Sequence, residues 1–321
     1  MKILKINNKG LLMFDSVRFI TSNLAQRFTL DLIKDLDDYH IIITHGVIGE
    51  LINLIEKENF GVDKSKISIL TNNIETQKLF NSYNYSTYCI SEYIFTNDDV
   101  YTIEEREIKY DCIFPGREAK AYGLFENKYN VGINLLYKLP GYPFPREKMT
   151  QLFNESKVGL MTTEAEGSCL SVGEMLSCGL PVVSVKINNS IDLDYFYPRD
   201  KRTYSNTYGI VLPNTLGGRE LWLDSGNSIY CSRVDSSIDE AITELVNKQF
   251  SKLDIRNDFL SKVNHHRVNF LYLVKSICDK LEIDFANLKL EEFISLPYGN
   301  STVSSTGWKK AIENVKHSYL L

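Results

Sequence analysis

No apolar run in the sequence approaches the roughly 18 to 20 residues that a membrane-crossing helix needs, so a bilayer-embedded chain is not expected. A secretory start is missing too: Met1 opens MKILKI and passes straight into polar NNKG, with no apolar core before a small-residue cleavage site. The expected location is cytoplasmic. The six cysteines (Cys89, Cys112, Cys169, Cys178, Cys231, Cys278) form no CxxC pair and have no histidine at ligand spacing, which argues against zinc and leaves them as small buried hydrophobes in a reducing compartment. There is no basic excess either. A net charge of -5 lacks the footprint of many nucleic-acid binders, although a local patch could sit inside an acidic total. No internal repeat, low-complexity tract or Gly-rich turn after the first apolar string is present; LLMFDSVRF stands where such a turn would fall.

What is there is an alternation. In 321 residues, 43% hydrophobic, short apolar strings (MKILKI, HIIITHG, KISIL) are separated by helical patterns (FITSNLAQRFTLDLIKDL, VIGELINLIEKE, TQKLFNSYN). Parallel strands need such helical crossovers, so the pattern predicts a first doubly wound domain over 1–107. The charged string TNDDVYTIEEREIKY leads into a new strand at Asp111–Pro115, opening a second domain over 108–304. A polar helix, the Pro-rich loop LPGYPFPRE, the strand VGLMTT, the loop and helix EAEGSCLSVGEMLSCG and the strand LPVVSV follow. Residues 186–215, dense in Asn, Asp, Tyr and Pro, are expected to form an insertion on the loop after that strand, either a specificity element or a surface excursion. IDEAITELVNKQ and HHRVNFLYLVKSICDKL read as helices, and 305–321 as a C-terminal helix returning toward the first domain.

The chemistry concentrates in TTEAEGSCLSVGEMLSCGLPVVSV, residues 162–185. Glu166 and Glu174 stand eight positions apart, with Gly167-Ser168 between them as a turn from strand end into helix. A helix beginning near Ser168 presents free amide groups and a positive dipole end to a diphosphate, with Glu174 about two turns in, where a carboxylate accepts two ribose hydroxyls. Glu166, on the loop, suits the hydroxyls of a sugar. Read from spacing alone, an ordinary parallel-sheet helix with Glu166 as a capping residue and Glu174 in solvent fits equally.

EGSCLSVGEMLSCGLPVVSV resembles the signature of the retaining GT-B glycosyltransferases of family 4: Glu, seven residues, Glu, a small-residue helix end and a Gly-x-Pro-Val-Val strand. LGGRELWLDSGNSIYC is similar to the Gly-Gly loop and Asn-containing turn that follow in that group. The likeness covers roughly 67–250 and is strongest over 158–185. It implies an α/β chain of GT-B type, two Rossmann-like doubly wound domains facing a central cleft. It also implies a sugar transferred with retention from a nucleoside diphosphate sugar, a UDP-sugar, with no metal or other cofactor. By the same resemblance Glu174 holds the ribose, Glu166 contacts the donor sugar, and the backbone of Gly167, Ser168, Cys169 and Leu170 holds the phosphates. Arg117 and Lys120, in IFPGREAKAYG, neutralise the leaving diphosphate. Their separation is shorter than the family's usual four residues, which leaves Lys128 or Arg219 as substitutes.

His45, after HIIIT, falls at a strand end from which a crevice residue reaches the sugar, or is a polar terminus only. Asp192 and Asp194 form an Asp-x-Asp pair but lie in the insertion, so no metal clamp is expected. The adjacent His265 and His266 are expected in solvent on a charged helix. The acceptor is a saccharide, a lipid-linked saccharide or a hydroxymethylated DNA base, the last as in bacteriophage DNA-modifying transferases; a silent nucleotide-sugar-binding protein is the non-enzymatic alternative.

Overall fold

The computed structural model describes residues 3–6, 13–14, 17–20, 41–44, 63–66, 68–71, 74–90, 92–95, 99–115, 135–136, 144–161, 170–185, 222–231, 235–287 and 305–317. Two mostly parallel sheets organise them. The first holds β1 (Ile3–Ile6), β2 (Met13–Phe14), β3 (Val17–Ile20), β4 (Ile41–Thr44), β5 (Ser68–Thr71) and β6 (Ser86–Cys89), in the order β2-β3-β1-β4-β5-β6. Only the β2–β3 hairpin pairs antiparallel. The second holds β7 (Tyr110–Ile113), β8 (Leu135–Leu136), β9 (Ser156–Met161), β10 (Val182–Val185) and β11 (Ser228–Cys231), in the order β11-β10-β9-β7-β8, all parallel. Setting β2 aside, both sheets run outward from their first strand in the same way. The second strand lies on one side and the third, fourth and fifth in succession on the other. The strand order therefore reverses between β1 and β4 in one sheet and between β7 and β9 in the other.

Alternation along the strands of the second sheet shows why it is covered on both faces. Cys112, Phe114, Val158, Leu160 and Val183 pack with Ile238, Ala241, Ile242 and Leu245 of a helix over Asp235–Asn247. Ile113, Met161 and Val182 turn the other way, toward helices at Arg146–Asn154 and Leu170–Ser177. In chain order the helices are α1 (Ile74–Ser82), α2 (Arg146–Asn154), α3 (Leu170–Ser177), α4 (Asp235–Asn247), α5 (Lys252–Lys280) and α6 (Ser305–His317). The α/β fold with two Rossmann-like units is thus as expected.

Several elements differ from the sequence reading. Phe19 and Ile20, expected to open a helix, close strand β3. Strands β6, β8 and β11 were not anticipated; all three are edge strands, and the exposed-to-intermediate alternation of β6 shows why no apolar run marks it. Helix α2 follows Pro145 directly and buries Met149, Leu152 and Phe153, a one-turn spacing that the preceding prolines obscured. The histidine pair splits: His265 is exposed, but His266 packs edge-on against the buried Trp222, ring centroids 4.9 Å apart. Burial, with His265 adding to it, pushes the His266 imidazole down to about 4, so it is a neutral packing group at neutral pH. Among the described cysteines, Cys112, Cys178 and Cys278 are buried and Cys89 and Cys231 half-buried, and burial pushes the Cys178 thiol up to about 12.

Helix α5 is the backbone of the C-terminal half. Its amino end is capped by the Ser251 hydroxyl, which accepts from the Asp254 amide at 3.2 Å. Helix α6 lies along it with Trp308, Ala311 and Val315 buried, and the Trp308 ring sits edge-on to Phe270. No helix among the described residues is long and apolar enough to cross a membrane.

Candidate functional site

Parallel α/β sheets collect ligands beyond the carboxyl ends of their strands, where the strand order reverses. In the second sheet that point lies between β7 and β9, whose register pairs Ile113 with Gly159. The two motif segments follow these two strands in the chain. Position 117 is four residues past Ile113 and position 166 five past Met161, so chain length alone keeps their Cα atoms within about 14 Å and 18 Å of those strand ends. In the first sheet the reversal lies between β1 and β4, and position 45 is the next after Thr44, the last residue of β4. Arg117, Lys120, Glu166, Gly167, Ser168, Cys169 and His45 themselves lie outside the described residues, as do Lys128, Arg219, Asp192, Asp194 and the 186–215 segment.

Leu170 and Glu174 are described. Helix α3 is described over Leu170–Ser177 and carries Glu174 four positions after Leu170; the start expected near Ser168 lies outside the described residues. Its position is set by close packing. Gly173 faces the Tyr93 ring so closely that a β-carbon there would overlap it, and Tyr93 is fully buried, its phenol 2.7 Å from the Ser177 hydroxyl and its ring edge-on to Phe259. The helix ends in a tight reverse turn. Gly179 adopts φ 70°, its amide donating to the Leu176 carbonyl at 2.9 Å while the Leu180 amide donates to Met175 at 3.0 Å. That paired pattern closes a helix on a left-handed residue and redirects the chain into β10. Gly173 and Gly179 therefore fix how near α3 lies to its neighbours and where it ends.

Glu174 is half-buried, and its Oε1 accepts a hydrogen bond from the Tyr101 hydroxyl at 2.8 Å. Tyr101 belongs to the extended connection between the two sheets, and its phenol is held far above its ordinary value by burial first and the Glu174 carboxylate second. It therefore stays protonated and donates to Oε1 of Glu174. The connection is latched along its length. The Thr150 hydroxyl donates to the Val100 carbonyl at 3.1 Å, and the buried Asn154 side chain donates to the Thr102 carbonyl at 2.8 Å and accepts from the Glu104 amide at 3.0 Å. Arg256, on α5, donates to the carbonyls of both Tyr101 and Ser177, tying the connection to the end of α3. The buried Arg267 donates to the Ile94 carbonyl at 3.2 Å.

The sequence reading missed Tyr101. It lies 73 positions from Glu174, in a stretch whose charges mark it as a solvated link, and no periodicity connects the two. Asn227, in the turn singled out for its asparagine, is buried and structural: its side chain donates to the Trp222 carbonyl at 2.8 Å and accepts from the Asp224 amide at 3.0 Å, shaping the entry to β11.

No protein-family model and no curated protein matches the sequence. Solved structures to which the chain is similar include TarM, with a TM-score of 0.43 and 13% identity over 78% of this chain. Sucrose-phosphate synthase from Thermosynechococcus elongatus has a TM-score of 0.41 and 10% identity, over 86% of this chain and 84% of that one. Alr3699/HepE of Anabaena, in complex with UDP and glucose, has a TM-score of 0.41 and 11% identity, over 83% of this chain and 100% of that one. The chain spans 57% of the length of TarM. The fold assignment rests on the strand order and registers of the two sheets.

Proposed function

We propose that this chain is a retaining, metal-independent glycosyltransferase of GT-B arrangement that moves a sugar from a UDP-sugar to an acceptor hydroxyl, acting in the cytoplasm. The observation that carries the reading is the reversal of strand order between β7 and β9, the strands that the basic segment 116–120 and the Glu-Gly-Ser segment 166–168 follow in the chain, with Glu174 half-buried on α3. In this reading Glu174 takes the ribose hydroxyls, the amides of 167–170 take the phosphates, and Glu166 takes the donor sugar. His45, leaving the corresponding reversal point of the first sheet, approaches that sugar from the other side of a cleft between the two domains, 1–107 and 108–304.

The chemistry follows from charge. As the bond between the anomeric carbon and the phosphate oxygen lengthens, the sugar gains positive character and the diphosphate gains negative charge. Arg117, Lys120 and the amino end of the helix meet that developing charge with fixed dipoles and cations, the work a divalent ion does elsewhere. The acceptor oxygen bonds to the anomeric carbon on the face the diphosphate leaves, and the acceptor proton passes to a departing phosphate oxygen. Closure of the domains excludes water that would otherwise hydrolyse the donor.

Calorimetric titration with UDP tests the reading. Wild-type protein binds it, Glu174→Ala weakens binding by about tenfold or more, and Glu166→Ala lowers sugar release from UDP-sugars by about 10² to 10³-fold. EDTA leaves turnover unchanged. A wild-type chain that binds no nucleoside diphosphate refutes the site, and turnover abolished by EDTA refutes the metal-free part. A chain that binds donors but never cleaves them is a binding protein.

A further inference from the structure

We propose that Tyr101 is a positioning residue for the donor site: its phenol fixes the Glu174 carboxylate in the orientation that receives the ribose. The inference rests on the donor-site reading above and adds to it the residue that sets affinity and sugar-ring selectivity.

A glutamate on a helix has three rotatable side-chain bonds, and a carboxylate that must accept two hydroxyls at once loses much of its value if it samples several rotamers. Tyr101 removes that freedom at Oε1. The phenol can do this because it cannot move. Tyr101 is 4% exposed and its ring lies against Phe153. Its carbonyl is held by Arg256, and the residues on either side are held by Thr150 and Asn154. One hydroxyl occupies one of the roughly four acceptor positions of a carboxylate, so the contact orients Glu174 without exhausting it. The holding residue comes from the connection between the sheets and not from the helix. Seating of that connection is therefore part of assembling the site.

The test is Tyr101→Phe in the full chain, which keeps the buried ring and deletes only the oxygen, measured beside Glu174→Ala. Affinities for UDP and 2′-deoxy-UDP are determined by calorimetry and donor kinetics by product release. Wild type favours UDP over the deoxy form by about tenfold, the scale of a hydrogen bond to a charged group. Tyr101→Phe raises the Kd for UDP about tenfold, compresses the preference to about twofold, and raises KM for the donor while kcat at saturation holds. A purely structural role would lower the melting temperature and leave the ribose preference intact. If Tyr101→Phe keeps wild-type affinity and preference while Glu174→Ala loses both, the positioning role is overturned and the donor site stands. If Glu174→Ala also keeps both, the donor site fails and this inference with it.

Discussion

Lowering the pH from 7 to 5 titrates one buried packing contact among the described residues, that of His266. His266 packs against Trp222, and its imidazole is pushed from 6.5 to about 4 by burial, with His265 contributing. Because the folded value is the lower one, the unfolded chain binds the extra proton first. The stabilising effect of a neutral His266 is therefore complete above about 6.5 and is lost as the pH falls toward 4. At about 1.36 kcal/mol per unit, integrating between those two values removes about 2 kcal/mol by pH 5 and about 3 kcal/mol by pH 4. Two carboxylates with lowered values titrate below this window. Burial raises Glu155 but hydrogen bonds from Lys109 and Gln151 outweigh it, and burial raises Asp224 but Lys262 and the local amides outweigh it. Urea melts at pH 7, 6 and 5 should show wild-type stability falling by roughly 1 kcal/mol per unit. His266→Phe, which keeps an aromatic edge on Trp222 and carries no proton, should flatten that slope. A slope that survives in His266→Phe, or a wild type equally stable at pH 5 and 7, would refute the buried neutral imidazole.

Gly173→Ala should destabilise by about 1 to 2 kcal/mol in urea melts, since the new methyl overlaps a Tyr93 ring that has nowhere to go and that cost exceeds the roughly 1 kcal/mol gained in helix propensity. A stabilised variant would show that the two groups are not in close approach. Asn154→Ala should cost about 2 kcal/mol by leaving the Thr102 carbonyl and the Glu104 amide without their partner, and limited proteolysis should then cut the connection around 99–109 faster than in wild type. Unchanged cleavage there would mean the connection is held chiefly by Arg256 and Thr150.

Particular residues show how much the sequence carried and where it stopped. Ile41–Ile43, Ser68–Leu70, Val158–Met161 and Val182–Val185 announced central strands because strands buried on both faces are written as apolar runs. The turn at Gly179 and the helix before it were legible because only glycine tolerates that backbone cheaply and because a terminal turn repeats a known hydrogen-bond pattern. These are local requirements, satisfied by residues a few positions apart, and a single chain displays them directly.

Whatever depends on distant residues meeting had no such display. The edge strands β6, β8 and β11 borrow their hydrogen bonds from neighbours already in the sheet. His266 looked like a surface residue because Trp222 is 44 positions away. The two reversals of strand order arise only from how crossovers stack, and they alone set β7 beside β9, although β8 and α2 come between those strands in the chain. The amino-acid sequence by itself determined two parallel α/β units and a helix bearing Glu174, because periodicity and turn chemistry are short-range. The tertiary structure alone decided that Tyr101 would grip that carboxylate and Arg256 would pin the connection behind it, because side-chain hydrogen bonds form between whatever the packed core leaves within about 3 Å.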